Sequence, residues 1–200
     1  MSPVDPAQPS HPDSRFDADW LALRAGADAA ARAGELTDLA AAWLSGRAHT
    51  PYLCVDLGAG SGSNPRFLAP RLPGPQSWRL LDHDAALLER AARGCAELRD
   101  AAGNPVALRP ECRDLSALTA ADLGGADLVC ASALIDLVGA SWLDRLAEAC
   151  ASAGAAVLFS LSVDGEWRCR RAGAEAADPD DALVRSASNA HQRRDKGVAA

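Results

Sequence analysis

Lysine is nearly missing from this 200-residue chain: of its 20 basic side chains, all but Lys196 are arginine. A P-loop needs a lysine directly after its second glycine to reach the β- and γ-phosphates, and no glycine-rich turn here supplies one. Kinase-type strand lysines are excluded by the same absence, and Schiff-base chemistry is left to Lys196 alone. Paired cysteines are missing as well. Cys54, Cys95, Cys112, Cys130, Cys150 and Cys169 are too widely spaced for a CxxC zinc knuckle, so they read as small buried hydrophobes and no metal site is expected. No apolar run approaches the roughly 20 residues that cross a bilayer. The opening MSPVDPAQPSHPDS has neither the basic nor the apolar part of a targeting peptide, so no membrane partner is expected and a reduced cytoplasm is the simplest compartment. A net charge of -7 provides no basic field for a phosphate backbone, which argues against nucleic acid and towards a small-molecule substrate.

What is present suits one globular domain, since 48% of residues are hydrophobic and 24% charged. Residues 1–14, punctuated by Pro3, Pro6, Pro9 and Pro12, read as an extended solvated tail, leaving 15–200 as the domain. An alanine-rich helix is predicted from Asp17 to Ala33, with Trp20, Leu23 and Ala27 along one side. A second follows with an apolar stripe of Leu36, Leu39, Ala40, Trp43 and Leu44, stopped by Gly46. Five short β-type runs then alternate with helices: 52–57, 77–82, 106–110, 127–132 and 155–163. Such alternation predicts an α/β, Rossmann-like, doubly wound and mostly parallel sheet with helices on both faces. Between the runs, Leu87, Leu88, Ala91, Ala92, Cys95 and Leu98 form one helical face ending at Gly103. Ser141 and Asp144 make a capping box ahead of a helix ending at Gly154. Asp164-Gly165 signals a hairpin folding residues 166–170 back beside the fifth strand, and a last helix is predicted from Asp181 to Arg194 with Leu183, Val184 and Ala187 inward.

The informative stretch is LCVDLGAGSGSNPRFLAPRL, in which a buried strand ends at Asp56, passes through Gly58, Ala59, Gly60, Ser61 and Gly62, and enters a helix. Glycines there permit positive φ and let backbone amides approach a ligand. Asn64 as N-cap and Pro65 as first helical residue would aim the turn at the positive end of a helix dipole, where an anionic group is favoured. A dinucleotide fingerprint would need a third glycine at the position of Ser63. A nucleophile elbow would need glycines two residues either side of its serine, whereas those beside Ser61 are adjacent.

The stretch DLGAGSG (Asp56 to Gly62) resembles the first motif of the class I S-adenosylmethionine-dependent methyltransferases. The likeness continues in order through LLDHD (Leu80 to Asp84), CRDLSAL (Cys112 to Leu118) and ADLVCASALIDLV (Ala126 to Val138), covering about residues 50–165. The resemblance implies S-adenosyl-L-methionine as cofactor and methyl transfer as activity. It places the amides of Gly58 to Gly62 beneath the methionyl part, with Asp56 organising the turn. It gives Asp82 to the ribose hydroxyls, which suit the two acceptor oxygens of a carboxylate. His83 falls near the adenine edge, Asp114 takes the adenine amino group, and Leu115 covers a ring face. Ala131 and Ser132 line the methyl-transfer end.

Other polar residues read more plainly. Asp84 is a helix cap, His11 and His49 are solvated, and Arg24 and Arg32 are exposed helical arginines rather than contacts to the cofactor carboxylate. Asp136, after the fourth strand, either faces substrate or serves as a solvated or capping residue. His191 and Asp136 are the candidate bases, and no catalytic residue is assigned. The run that accompanies nucleobase methylation, Asn/Asp-Pro-Pro-Tyr/Phe, is absent after the fourth strand. The family's common sheet has seven strands, while residues 166–200 contain no two apolar β-runs. The sheet is therefore expected to be shortened at its C-terminal side, with a second subunit as one way to cover the edge. A cofactor-binding domain without catalysis and a nicotinamide oxidoreductase remain as alternatives.

Overall fold

The computed structural model describes residues 18–161, 168, 178 and 180–192. Strands β1 (Tyr52–Leu57), β2 (Gln76–Asp82), β3 (Ala107–Cys112), β4 (Leu128–Ser132) and β5 (Ala156–Ser160) form one sheet in the order β3-β2-β1-β4-β5, and every pairing is parallel. Parallel neighbours need crossovers, which run through α3 (Ser63–Leu68), α4 (Ala85–Gly94) and α5 (Ala140–Ala153), with short 3-10 turns between β3 and β4; α1 (Ala18–Ala30) and α2 (Gly34–Ser45) precede β1, and α6 (Asp181–Gln192) follows β5. The doubly wound α/β expectation is met, with β1 as predicted and the other four strands within three residues of their expected ends.

Two apolar layers follow from the period of two along each strand. On one face Cys54, Trp78, Leu80, Leu128 and Cys130 pack with Leu44, Leu68, Leu72, Leu88 and Ala91. On the other, Val55, Leu57, Leu81, Val129 and Ala131 meet Leu123, Trp142, Leu146 and Cys150. Both clusters converge on β1, which has neighbours on both sides and is buried along nearly its whole length.

Several helix details differ from expectation. Helix α2 starts at Gly34, directly after the predicted end of the first helix at Ala33, and buries Thr37, Ala40 and Leu44. Leu36, Leu39 (65% exposed) and Trp43 remain largely outside the core, because the small side chains at 37 and 40 turn to the sheet. Trp43 instead donates its indole N–H to the Asp127 carbonyl at 3.0 Å. Leu23 (85% exposed) and Ala27 on α1 are exposed rather than buried, and the Trp20 side chain lies outside the described residues. Helix α4 ends at Gly94 rather than Gly103, although Cys95 and Leu98 continue its apolar face in the following turn. Ser141 lies inside α5, whose N-cap is the extended Gly139 without a side-chain cap, so the predicted capping box does not form. Leu183 and Val184 are exposed on α6 rather than inward.

The predicted tail 1–14, the hairpin at 164–165, Cys169, His11, Lys196 and the His191 side chain lie outside the described residues. Four of the other cysteines are buried and Cys112 is exposed. Among the described residues no helix is long and apolar enough to cross a membrane.

Candidate functional site

The strand order reverses between β1 and β4, and the segments leaving the carboxyl ends of these strands diverge to opposite faces. That crevice is where open α/β sheets hold ligands. Strand register sets Leu57 between Leu81 and Ala131, so the chain leaving β1 emerges between the ends of β2 and β4. Gly58, Gly60 and Gly62 adopt φ of 64°, 52° and 82°, a left-handed conformation that L side chains rarely occupy. The turn is largely bonded to the protein itself. The Ala59 N–H donates to the Leu81 carbonyl at 3.1 Å, the Gly60 N–H to Asp82 Oδ2 at 2.8 Å, and the Gly62 N–H to the Ala59 carbonyl at 2.8 Å. Its back rests on α4: a Cβ at Gly62 would lie 3.1 Å from both Ala91 Cβ and Cys95 Sγ. Arg66 donates to the Ser61 carbonyl and holds the other side.

Two carboxyl groups flank this turn on the same face of the sheet. Asp82, buried at the end of β2, accepts from the Gly60 N–H on one oxygen and from the Asp84 N–H at 2.9 Å on the other. It therefore shapes the turn through the protein as well as offering spare lone pairs to a ligand. Asp56 is fully buried: its Oδ1 accepts from Asn64 Nδ2 at 2.6 Å and from the Cys130 thiol at 3.5 Å. Its Oδ2 is buried with no hydrogen-bond partner among the described residues. Burial pushes the Asp56 carboxyl up to about 7, against the opposing pull of Asn64, Cys130 and Arg32.

Asn64 was expected as the N-cap of α3, but the helix begins at Ser63 behind the left-handed Gly62. Asn64 thus sits in the first turn with its amide turned inward to Asp56. Its Oδ1 accepts from Arg32 Nη2 at 2.6 Å. Arg32, expected on an exposed helix face, is half-buried just beyond the end of α1, with its guanidinium over the Phe67 ring at 4.8 Å. The chain Arg32–Asn64–Asp56–Cys130 was missed from sequence. The i, i+2 proximity of Asn64 to Gly62 was its only signal, and that was absorbed by the capping assignment.

The other expected site residues sit as follows. His83 is exposed beside Asp82, with Nδ1 3.5 Å from Asp82 Oδ1. Asp84 caps α4, accepting from the amides of Ala86 and Leu87. Asp114 is exposed, with Oδ1 taking the Ser116 N–H and Oδ2 the Ser116 hydroxyl; these bonds hold its carboxyl below the usual range. The Leu115 carbonyl accepts the Trp142 indole N–H at 2.7 Å, and its side chain is half-buried. Ala131 is buried in the second core layer, while Ser132 Oγ lies 3.2 Å from Ser160 Oγ. The next residue, Ala133, has a φ of 52°, an uncommon conformation for a residue with a Cβ. Leu134 Cδ1 would be 3.5 Å from a Cβ at Gly58, so the side chain that follows β4 lies beside the first glycine of the turn. His49, expected in solvent, has Nε2 3.1 Å from Asp127 Oδ2 at the opposite end of the sheet. Asp136 is exposed, and Arg24 pairs with Asp28.

No protein-family profile matches the sequence, and a search among curated proteins finds no match. Solved structures with a similar chain path include a SAM-dependent methyltransferase from Leishmania major, 17% identical with a TM-score of 0.46, over 70% of this chain and 51% of that one. Streptomyces venezuelae DesVI is 16% identical with a TM-score of 0.47, over 72% and 57%. The plantazolicin methyltransferase BpumL in complex with SAH is 13% identical with a TM-score of 0.44, over 64% and 45%. The chain spans about half the length of these three structures.

Proposed function

We propose that this chain binds S-adenosyl-L-methionine and transfers its methyl group to a small-molecule acceptor. The observation that carries the reading is the left-handed glycine turn at the sheet's reversal point, flanked by the buried carboxyls of Asp56 and Asp82. The residues fit that cofactor. The glycines keep Cβ atoms out of its path, Asp82 retains acceptor capacity for vicinal hydroxyls, and the orphaned Asp56 oxygen lacks a donor that an ammonium would supply. Gly58, Ala59, Gly60, Ser61 and Gly62 would hold the methionyl part. Asp82 and His83 would lie along the ribose and adenine, Asp114 and Leu115 at the base, and Ala131 and Ser132 at the transfer end. Because the Ala131 side chain belongs to the core, its backbone is the simpler contact there, whereas the exposed Asp114 carboxylate keeps lone pairs beside its bonds to Ser116.

When bound, S-adenosylmethionine supplies an electrophilic methyl group on sulfur. The protein's task is then alignment and exclusion of water; the internally bonded turn serves the first, and Leu134 places an apolar side chain beside Gly58. No base is assigned to the reaction.

An oxidoreductase is the competing enzyme class, and Ser63 in place of the third fingerprint glycine argues against it. Titration calorimetry with S-adenosylhomocysteine and with NAD separates the two: saturable binding of the first alone is expected, and binding of NAD alone would overturn the reading. A second reading, a domain that binds the cofactor without turning it over, is favoured by β5. This strand pairs only with β4 among the described residues, and its Val157 is 49% exposed. A second copy of the chain covering that edge is the partner proposed here, in a cytoplasmic setting.

A further inference from the structure

Asp56 occupies a setting that disfavours its charge. It is wholly enclosed, and among the described residues only one of its oxygens has partners. The groups around it come from every neighbouring element. Cys54 on the same strand, Cys130 on β4 and Cys95 just past the end of α4 are thiols that burial pushes up, so all three are neutral near pH 7. Asp82 on β2 is acidic and opposes a second negative charge. The neighbouring cation, Arg32, touches Asn64 rather than the carboxyl, so its attraction acts across the intervening amide. Arg32 is itself influenced by Asp28 and Arg71. Arg66 spends an N–H on the Ser61 carbonyl. Arrangements of this kind keep an acid protonated until a positive charge arrives.

The ligand proposed above carries such charge in its sulfonium and ammonium groups. We infer that Asp56 holds a proton in the ligand-free protein and releases it when S-adenosylmethionine binds at the glycine turn, so that cofactor affinity rises with pH across the neutral range. The step breaks the carboxyl O–H bond, leaves its electron pair on the oxygen, and delivers the proton to buffer. This inference rests on the methyl-donor reading of the site. If only the ionised form binds, apparent affinity falls about tenfold for each pH unit below the titration of Asp56 and levels off above it.

The test is calorimetry with S-adenosylmethionine at pH 6 and pH 9, in buffers of low and high ionisation enthalpy, on the whole chain. Most of one proton released per ligand at pH 6 is expected; at pH 9 Asp56 releases almost none, and any proton taken up there belongs to the ligand's own amino group, which titrates at about 8. An infrared difference spectrum at pH 6 should show loss of a carboxylic-acid band on binding. Binding at pH 6 with no proton released and no band lost overturns the inference and leaves the methyl-donor reading intact; absence of binding at both pH values removes both. Asp56→Asn should abolish the proton release. Where that variant does not fold, Arg32→Gln serves instead. Removing the cation should move the proton-linked window to higher pH, and an unmoved window would count against Asp56 as the group.

Discussion

Gly62 carries two constraints at once, a φ of 82° and a neighbour on α4 where its Cβ would be. Gly62→Ala is therefore expected to destabilise the protein by about 1–2 kcal/mol from backbone strain alone, with more if α4 cannot shift, as read by denaturant unfolding. Asp82 serves the turn from the other side. Asp82→Ala removes acceptors from the amides of Gly60 and Asp84, so it should weaken S-adenosylhomocysteine binding by roughly 1–3 kcal/mol while also lowering thermal stability. Asp56 gives a pH signature with a definite sign. Its folded titration near 7 lies above its ordinary 3.8, so the folded state holds the proton more tightly. The stability it contributes is fully present below about pH 4, declines as pH rises through 7, and is constant beyond. Carboxyls held low by their partners, such as Asp122 and Glu111, act in the opposite sense and lose stability as pH falls. The difference in Tm between the native chain and Asp56→Asn isolates the first effect: the variant should gain relative stability from pH 5 to pH 8. A flat difference would mean that Asp56 is charged throughout.

Elements were more legible than their faces. Runs of alternating or continuous apolar residues bounded by glycine and proline located all five strands, because burial on both sides of a parallel sheet leaves a dense local signal. Helix faces were harder. Trp43 and Leu39 look like core residues by spacing, yet the sheet accepts Thr37 and Ala40, whose small volume lets α2 approach. Long-range polar ties carry no local pattern at all. Asp127, at the foot of β4, takes Arg47 at 2.8 Å, His49 at 3.1 Å and the Leu53 N–H at 2.9 Å, and so fastens the segment between α2 and β1 to the sheet. Asp127→Ala should cost on the order of 3 kcal/mol of stability, since it leaves a strand amide and an arginine without their acceptor. Cofactor affinity should change little, because that end of the sheet is remote from the glycine turn. The turn itself was readable because glycine spacing is a direct statement about backbone geometry. The Arg32–Asn64–Asp56 link, spanning distant positions through an amide, was not.

At the scale of the whole molecule, two apolar layers clamp β1 so that its carboxyl end, and the turn beyond it, are held by everything around them. The outer strands differ. β3 has ionic cover from Arg79 and Glu111, whereas β5 presents Val157, with Leu161 exposed just after it, and has no partner strand beyond it among the described residues. An apolar edge of this sort favours association. If a second copy covers that edge, as proposed above, light scattering reports a dimer, and Val157→Lys should shift it towards monomer without loss of cofactor binding. The central claim is that the backbone after the first strand cradles an amino-acid nucleoside. A crystal structure grown with S-adenosylhomocysteine tests it most directly. The account predicts ligand density against Gly58–Gly62, with the ribose hydroxyls on Asp82; density confined to another surface, or a glycine turn left bare at saturating ligand, would contradict it.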